Sequence, residues 1–284
     1  MQVVSTLAET TAAVAAVRAR GRRIGFVPTM GALHAGHLSL VAAAVAAGEA
    51  AVASIFVNPL QFGPGEDLAT YPRDLAGDLR KLESAATELV FTPSPAELYP
   101  AGFATRVEVT GLADELCGRF RPGHFRGVTT VVAKLFHIVH PDRAYFGAKD
   151  YQQAALIRRM AVDLNLGVEV VVLPTVREAD GLAMSSRNQR LDREARRRAR
   201  ALHRGLAAAA AAFAAGEREA ERLAAAARAV MESTAGVEVQ YCDVVDAERI
   251  CPITTVRGRA LLAVAAFVGG VRLIDNVVLE EATA

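Results

Sequence analysis

Cysteine, lysine and any surplus of charge are what this 284-residue sequence has least of. Three cysteines, Cys117, Cys242 and Cys251, are too few and too scattered for a disulfide framework. None stands in a CxxC or CxxH spacing, which sets aside structural zinc and fits a reducing compartment; the expected location is the cytoplasm. The 32 basic and 31 acidic side chains leave a net charge of +1. That balance supplies no global field to hold nucleic acid or a membrane surface, so any anion site has to be local. Only Lys81, Lys134 and Lys149 among the cations are lysines, which makes each of them worth locating. The opening residues carry their acid early and their arginines late. A secretory leader has the reverse order, so this stretch predicts a first helix opening near Ser5. Residues 24–48 hold no Asp, Glu, Lys or Arg over 25 positions, long enough to suggest a membrane span. Pro28, Gly31, His34, Gly36 and His37 interrupt that run where a lipid-facing helix would least tolerate them, and a soluble protein is expected.

What is present is enough for a sizeable core: 52% of residues are hydrophobic and 22% charged, which excludes a disordered chain. Residues 23–29, 51–57, 88–91, 144–146 and 168–173 are short apolar runs that read as buried strands. Residues 37–47, 74–84, 129–139 and 151–164 between them read as helices. Apolar strands alternating with helices predict an α/β fold, a doubly wound, Rossmann-like parallel sheet covered on both faces. Past residue 175 the rhythm changes. An Arg-rich helix (192–204), an Ala-rich one (206–235) and strands at 238–245, 261–268 and 271–279 predict a second, smaller α+β domain with an antiparallel sheet. The division expected is 1–175 and 176–284. Six arginines lie between Arg193 and Arg204. Asp192 and Glu194 open that segment and no aromatics interleave, so it reads as a solvated face rather than a phosphate-binding one.

Ligands of doubly wound sheets sit beyond the carboxyl ends of the strands, which directs attention to the loops there. Residues 28–37 read PTMGALHAGH, with His34 and His37 three apart at the start of a helix. Both imidazoles would face one way on the first turn, together with free backbone N–H groups and the positive end of the helix dipole, forming an anion pocket. Gly31 and Gly36 would let backbone approach a base or ribose. A zinc site is disfavoured, because no third ligand is near in sequence and the spacing is not HExxH. Asn58 and Gln61 follow the second strand, and an amide offers donor and acceptor together to a substrate with hydroxyls and a carboxylate. Lys149 follows a later strand in FGAKDYQQ, placed to hold phosphate oxygens, with Asp150 as a helix N-cap and Gln153 one turn on. Arg121 and Arg126 in RPGHFRG read equally as anion contacts or as a surface turn. Ser185, Ser186 and Arg187 in VREADGLAMSSRN could wrap a triphosphate, or form a polar linker.

HAGH after a first buried strand resembles the HxGH signature of the nucleotidylyltransferase superfamily. PTMGALHAGHLSLV, FVNPLQFG, YPRDL, RPGHFRGV, FGAKDYQQ and VREADGLAMSSRN, in this order and spacing, resemble the pantoate–beta-alanine ligases of that superfamily. The resemblance covers the first domain and the junction; the last hundred or so residues carry less signature. It implies an acid–amine ligase that forms an acyl adenylate from ATP and pantoate and then passes the acyl group to the amine of beta-alanine, with Mg²⁺ and as a homodimer. It also implies roles. His37, His34 and Lys149 would be catalytic. Thr29, Met30, Gly31, Ala32, Leu33, His34, Ala35, Gly36 and His37 would contact ATP, as would Gly147, Ala148, Lys149 and Asp150, and Val176, Met184, Ser185, Ser186 and Arg187. Gln61 and Gln153 would hold pantoate, with Gln61 also near beta-alanine. Ala148 and Cys117 depart from the pattern, since many members have Glu at the first position and an acidic residue at the second. No ligands for Mg²⁺ are assigned; Asp74 and Asp78 are the acids considered. The competing readings are an adenylyltransferase acting on a phosphorylated acceptor, a tRNA-charging enzyme, which the balanced charge disfavours, and a non-catalytic nucleotide sensor.

Overall fold

The structure, a computed structural model, describes residues 1–281. In chain order its elements are β1 (Gln2–Val4), α1 (Leu7–Ala19), β2 (Ile24–Thr29), α2 (Ala35–Ala46), β3 (Ala50–Ile55), α3 (Leu75–Ser84), β4 (Leu89–Phe91) and α4 (Pro95–Leu98). There follow α5 (Cys117–Phe120), α6 (His124–Val139), β5 (Arg143–Gly147), α7 (Tyr151–Asp163), β6 (Glu169–Leu173), α8 (Arg193–Ala214), α9 (Ala220–Glu232), β7 (Val237–Asp246), β8 (Ala260–Val268) and β9 (Val271–Leu279). The chain divides into two compact units. The first comprises Met1–Val109, Arg121–Ala148 and Gln153–Val176; the second comprises Thr110–Phe120, Lys149–Gln152 and the chain from Arg177 onward.

The first unit is built on a parallel sheet of order β1-β4-β3-β2-β5-β6. Side chains of a strand alternate between its faces, and here both faces are covered. Phe26, Val52, Leu89, Phe91 and Phe146 join one buried cluster, while Val27, Ala51, Ala53, Val90 and Tyr145 join another. Helix α1 starts where a Thr6–Glu9 capping box satisfies its first N–H groups, and it buries Thr10, Ala13, Val14 and Val17 along one stripe. The edge strand β1 is absent from the sequence reading, because three residues are too short to show an alternation. Helix α6 begins at His124, earlier than residue 129, behind Gly123 in the left-handed conformation. From β2 the chain passes to β3 on one side, while β5 lies on the other, so the order reverses between β2 and β5. Their ladder covers only Gly25–Arg143 and Phe26–Ala144, and both run on to their carboxyl ends past it. This is the switch point at which sheets of this kind bind ligands.

The second unit carries the antiparallel sheet β7-β8-β9, with α8 and α9 supplying Leu202, Leu206, Leu223 and Met231 to the same core as Leu262 and Val264. The helix break expected near residue 205 is not there. Helix α8 runs through Gly205 to Ala214, because a single glycine costs about 1 kcal/mol and the alanines after it favour continuation. Among the described residues no helix is long and apolar enough to cross a membrane.

Candidate active site

In the first unit, the loop after β2 is shaped from beneath. Thr29 Oγ1 donates to the Ser54 carbonyl at 2.7 Å and accepts the Gly31 N–H at 3.2 Å. Ala32, at φ 50°, would be strained if it were not held. Asp78 holds it: its two carboxylate oxygens accept the N–H groups of Ala32 and Leu33, both at 2.7 Å. Asp78 is 1% exposed, and Lys81 pairs with it at 3.5 Å while donating to the Leu33 carbonyl at 2.8 Å. Asp74 caps α3 through the Gly77 N–H at 2.9 Å. Both acids considered for a metal are thus committed to backbone, and no group of three His, Cys, Asp or Glu side chains able to hold a metal occurs among the described residues.

His34 is the N-cap of α2, its Nδ1 accepting the Gly36 N–H at 3.2 Å. His37, at the third helical position, accepts the His34 N–H on its own Nδ1 at 3.3 Å. The pair is a capping box made of two imidazoles. A backbone N–H only donates, so each Nδ1 is the acceptor here, which leaves Nε2 as the ring nitrogen that carries a hydrogen. The ring centroids are 4.1 Å apart, which sets two Nε2–H donors next to each other. The sequence reading leaves the terminal N–H groups free for an anion, whereas two of them are taken by these rings. A Cβ at Gly36 would lie 3.0 Å from the His34 ring, tight enough that the ring would have to shift slightly to admit it. Val176 lies beside the same point.

The turn after β3 is ordered by Asn58, which is 1% exposed. Its Oδ1 accepts the Leu60 N–H at 3.2 Å, and its Nδ2 donates to the Gly127 carbonyl at 3.1 Å. Those two backbone partners settle which end of the amide is which. The second hydrogen on Nδ2 then goes to Gln61 Oε1 at 3.1 Å, and Tyr99 donates its hydroxyl proton to Asn58 Oδ1 at 2.8 Å. Burial pushes the Tyr99 hydroxyl up in pKa, so it stays protonated. Gln61 is thereby turned with Oε1 inward and its NH2 outward, meeting only the weak sulfur acceptor of Met30 at 2.9 Å. It is a donor by construction. Helix α6 comes this close to the turn because residue 127 is glycine: a Cβ there would overlap the Leu60 carbonyl. Arg121 makes a bidentate pair with Glu66, at 2.7 and 2.6 Å, and donates to the Gln61 carbonyl at 3.2 Å, where His124 also bonds at 2.8 Å. Burial pushes the Glu66 carboxyl up, but the hydrogen bonds and charge of Arg121 outweigh it and hold the group below its ordinary range. Gln153 stands half-buried in the first turn of α7, with no hydrogen bond joining it to Gln61.

In the second unit, Lys149 follows β5 in a 3-10 turn, its ammonium 3.4 Å from Asp150. Its carbonyl accepts from Asn276 Nδ2 at 2.9 Å. Arg177 makes two hydrogen bonds to Asp275, at 2.6 and 3.0 Å, and one to the Gly181 carbonyl at 3.1 Å. Ser185 caps a short 3-10 turn, Ser186–Arg190, by accepting the Arg187 N–H at 3.3 Å. Asn188 ties this turn to Glu178 and to the Ala183 carbonyl. Cys117, at one position that departs from the resemblance, is buried, its N–H donated to Gln152 Oε1 at 3.1 Å.

The model of the Pantoate-beta-alanine ligase family matches residues 2–278. The chain belongs to that family. It is therefore a ligase, and its parallel sheet with a smaller antiparallel domain is the family's fold. A pantothenate synthetase of Moorella thermoacetica is 54% identical over 99% of both chains. One from Acidobacterium capsulatum is 55% identical over 100% of this chain and 99% of its own. The solved pantothenate synthetase of Thermus thermophilus is 46% identical with a TM-score of 0.94, covering 99% of this chain and 100% of that one. The pantoate-beta-alanine ligase of Francisella tularensis, solved with beta-gamma ATP and beta-alanine, is 33% identical with a TM-score of 0.79 over 99% of both. Within the ligase, what sequence reasoning missed is what holds other groups: Tyr99, Asp275 and Asn276, and the backbone-holding role of Asp78. Each acts on backbone or on a second side chain far away in sequence, and no spacing announces such contacts.

Proposed function

We propose that the chain condenses (R)-pantoate with beta-alanine, using ATP and giving pantothenate, AMP and pyrophosphate through pantoyl adenylate. The observation that carries the reading is the imidazole capping box, two histidines capping α2 through Nδ1 beside the sheet's switch point, in a member of this family. In the first step a pantoate carboxylate oxygen attacks the α-phosphorus, and the bond to the bridging oxygen of the departing pyrophosphate breaks. The carboxylate is already ionised at neutral pH, so no base is required. What the step requires is stabilisation of charge on the phosphates. His34 and His37 supply Nε2–H donors, and the backbone of residues 29–37 and Gly147–Ala148 lines the nucleotide with Val176. Lys149 and the Ser185–Ser186–Arg187 turn supply an ammonium, hydroxyls and a guanidinium, and Asp150 and Met184 are the remaining nucleotide contacts of this reading. Gln61 offers its NH2 to oxygens of pantoate and of beta-alanine, and Gln153 is the second pantoate contact. In the second step the amine attacks the acyl carbon, the bond to the AMP oxygen breaks, and the nitrogen loses a proton.

Mg²⁺ belongs with the triphosphate as substrate and would be held chiefly by phosphate oxygens and water, which suits a chain in which Asp74 and Asp78, the acids considered for it, are committed to backbone. When bound it neutralises phosphate charge. Residues 1–175 are the nucleotide- and pantoate-binding part in this reading, and residues 176–284 the smaller C-terminal part. A homodimer follows from the family resemblance, and a cytoplasmic location from the three unpaired cysteines. The deciding experiment is exchange of labelled pyrophosphate into ATP with Mg²⁺ and (R)-pantoate present and beta-alanine absent. Exchange that depends on pantoate is expected. Its absence in protein shown to bind ATP, together with turnover of a phosphorylated acceptor, would overturn the reading.

A further inference from the structure

The last strand of the second unit carries two adjacent polar residues where its neighbours Ile274 and Val277 are apolar, and both are buried: Asp275 at 2% exposure and Asn276 at 9%. Successive side chains of a strand point to opposite faces, so the two reach different segments. Asp275 takes both forks of Arg177, and Arg177 in turn closes the bend that leads to Ser185, Ser186 and Arg187. That bend is reinforced by the Glu178 N–H on the Leu182 carbonyl at 2.9 Å and by the bridge between Arg177 and Ala183. Asn276 donates its amide to the Lys149 carbonyl, and its backbone N–H binds Asp275 Oδ1 at 2.8 Å. A buried ion pair is a poor source of stability, since an apolar pair of the same volume commonly serves as well; what it sets is geometry. Two segments about thirty residues apart in sequence, Lys149 and the loop 177–188, are thus tied to neighbouring positions of one strand.

We propose that Asp275 and Asn276 are positioning residues for adenylation, holding Lys149 and the 177–188 loop at the spacing that the ATP phosphates require. This rests on the functional reading above. The test is pyrophosphate exchange by the full chain carrying Asn276→Leu, similar in size but without the donor, and Asn276→Asp, which sets an acceptor against the Lys149 carbonyl. Both should lower exchange by roughly ten- to a hundredfold, the range expected for a misplaced catalytic group. The loss should appear with a raised KM for ATP, an unchanged KM for pantoate and a melting temperature within a few degrees of wild type. Wild-type kinetics in either folded variant would overturn the proposal. So would a loss confined to the active fraction with both KM values intact, or failure of both variants to fold, since each describes a merely structural pair. A wild-type chain without pantoate-dependent exchange would overturn the functional reading and this proposal with it; an active wild type with unaffected variants overturns the proposal alone.

Discussion

In most helices a hydroxyl or a carboxylate takes the first unsatisfied N–H; in α2 an imidazole does, and a second imidazole answers it. The capping and the chemistry of His37 therefore sit on different nitrogens, and substitutions separate them. His37→Ala removes both, and should lower pyrophosphate exchange by two or more orders of magnitude while losing about 1 kcal/mol of helix stability. His37→Asn keeps an acceptor near the Nδ1 position, so its melting temperature should return toward wild type while exchange stays low. Exchange at the wild-type rate in His37→Asn would remove the Nε2–H from the mechanism. Glu66 supplies a prediction in pH. Its folded pKa lies below the ordinary 4.5, so its pairing with Arg121 adds stability that is fully present above that value and is lost as pH falls through the folded one. Denaturant midpoints of wild type and Glu66→Gln should differ at neutral pH and converge as the pH falls below 4.5. A constant difference across that range would show that the Glu66 charge is not what stabilises the turn.

At the scale of elements, the contact between α6 and the turn after β3 has no room for a methyl group. Gly127→Ala would ordinarily favour a helix, by up to about 1 kcal/mol. Here the overlap with the Leu60 carbonyl should reverse the sign, destabilising the chain by about 1–3 kcal/mol and raising the KM for pantoate as Gln61 loses its setting. A more stable variant with unchanged KM would mean that α6 moves away freely. The same contact shows what is legible in the sequence. The strands β2, β3 and β9, and the loops that follow β2 and β5, announce themselves through local runs and spacing. His34 and His37 are visible because the whole box fits inside four residues. Asn58 and Gln61 can be noticed in their loop, but which end of the Gln61 amide faces outward depends on Gly127, 69 positions from Asn58. In the sequence Asp78 is only an acid considered for Mg²⁺, and it is the fold that turns it under Ala32 and Leu33. The length of α8 is misread for a different reason, because a local breaker, Gly205, is outweighed by the helix on either side of it.

Among the described residues the buried apolar side chains form separate clusters, two against the faces of the parallel sheet and one within the second unit. Leu223 is fully buried in the last of these and touches none of the proposed site residues through a hydrogen bond. Leu223→Ala should cost about 2–5 kcal/mol and lower the melting temperature by several degrees, while exchange measured well below the transition stays near wild type. Lost exchange in a variant still fully folded would show that the second unit's core shapes the site directly. The pairing of Arg177 with Asp275 also bears on how the protein is made. Ribosomes deliver Arg177 nearly a hundred residues before its carboxylate partner. A polypeptide released before β9 has been translated holds the histidines, the glutamines and Lys149, yet lacks the carboxylate that Arg177 grips beside its serine–arginine turn. Abortive products of translation should accordingly be unable to burn ATP, and activity should switch on only once synthesis has passed Asn276.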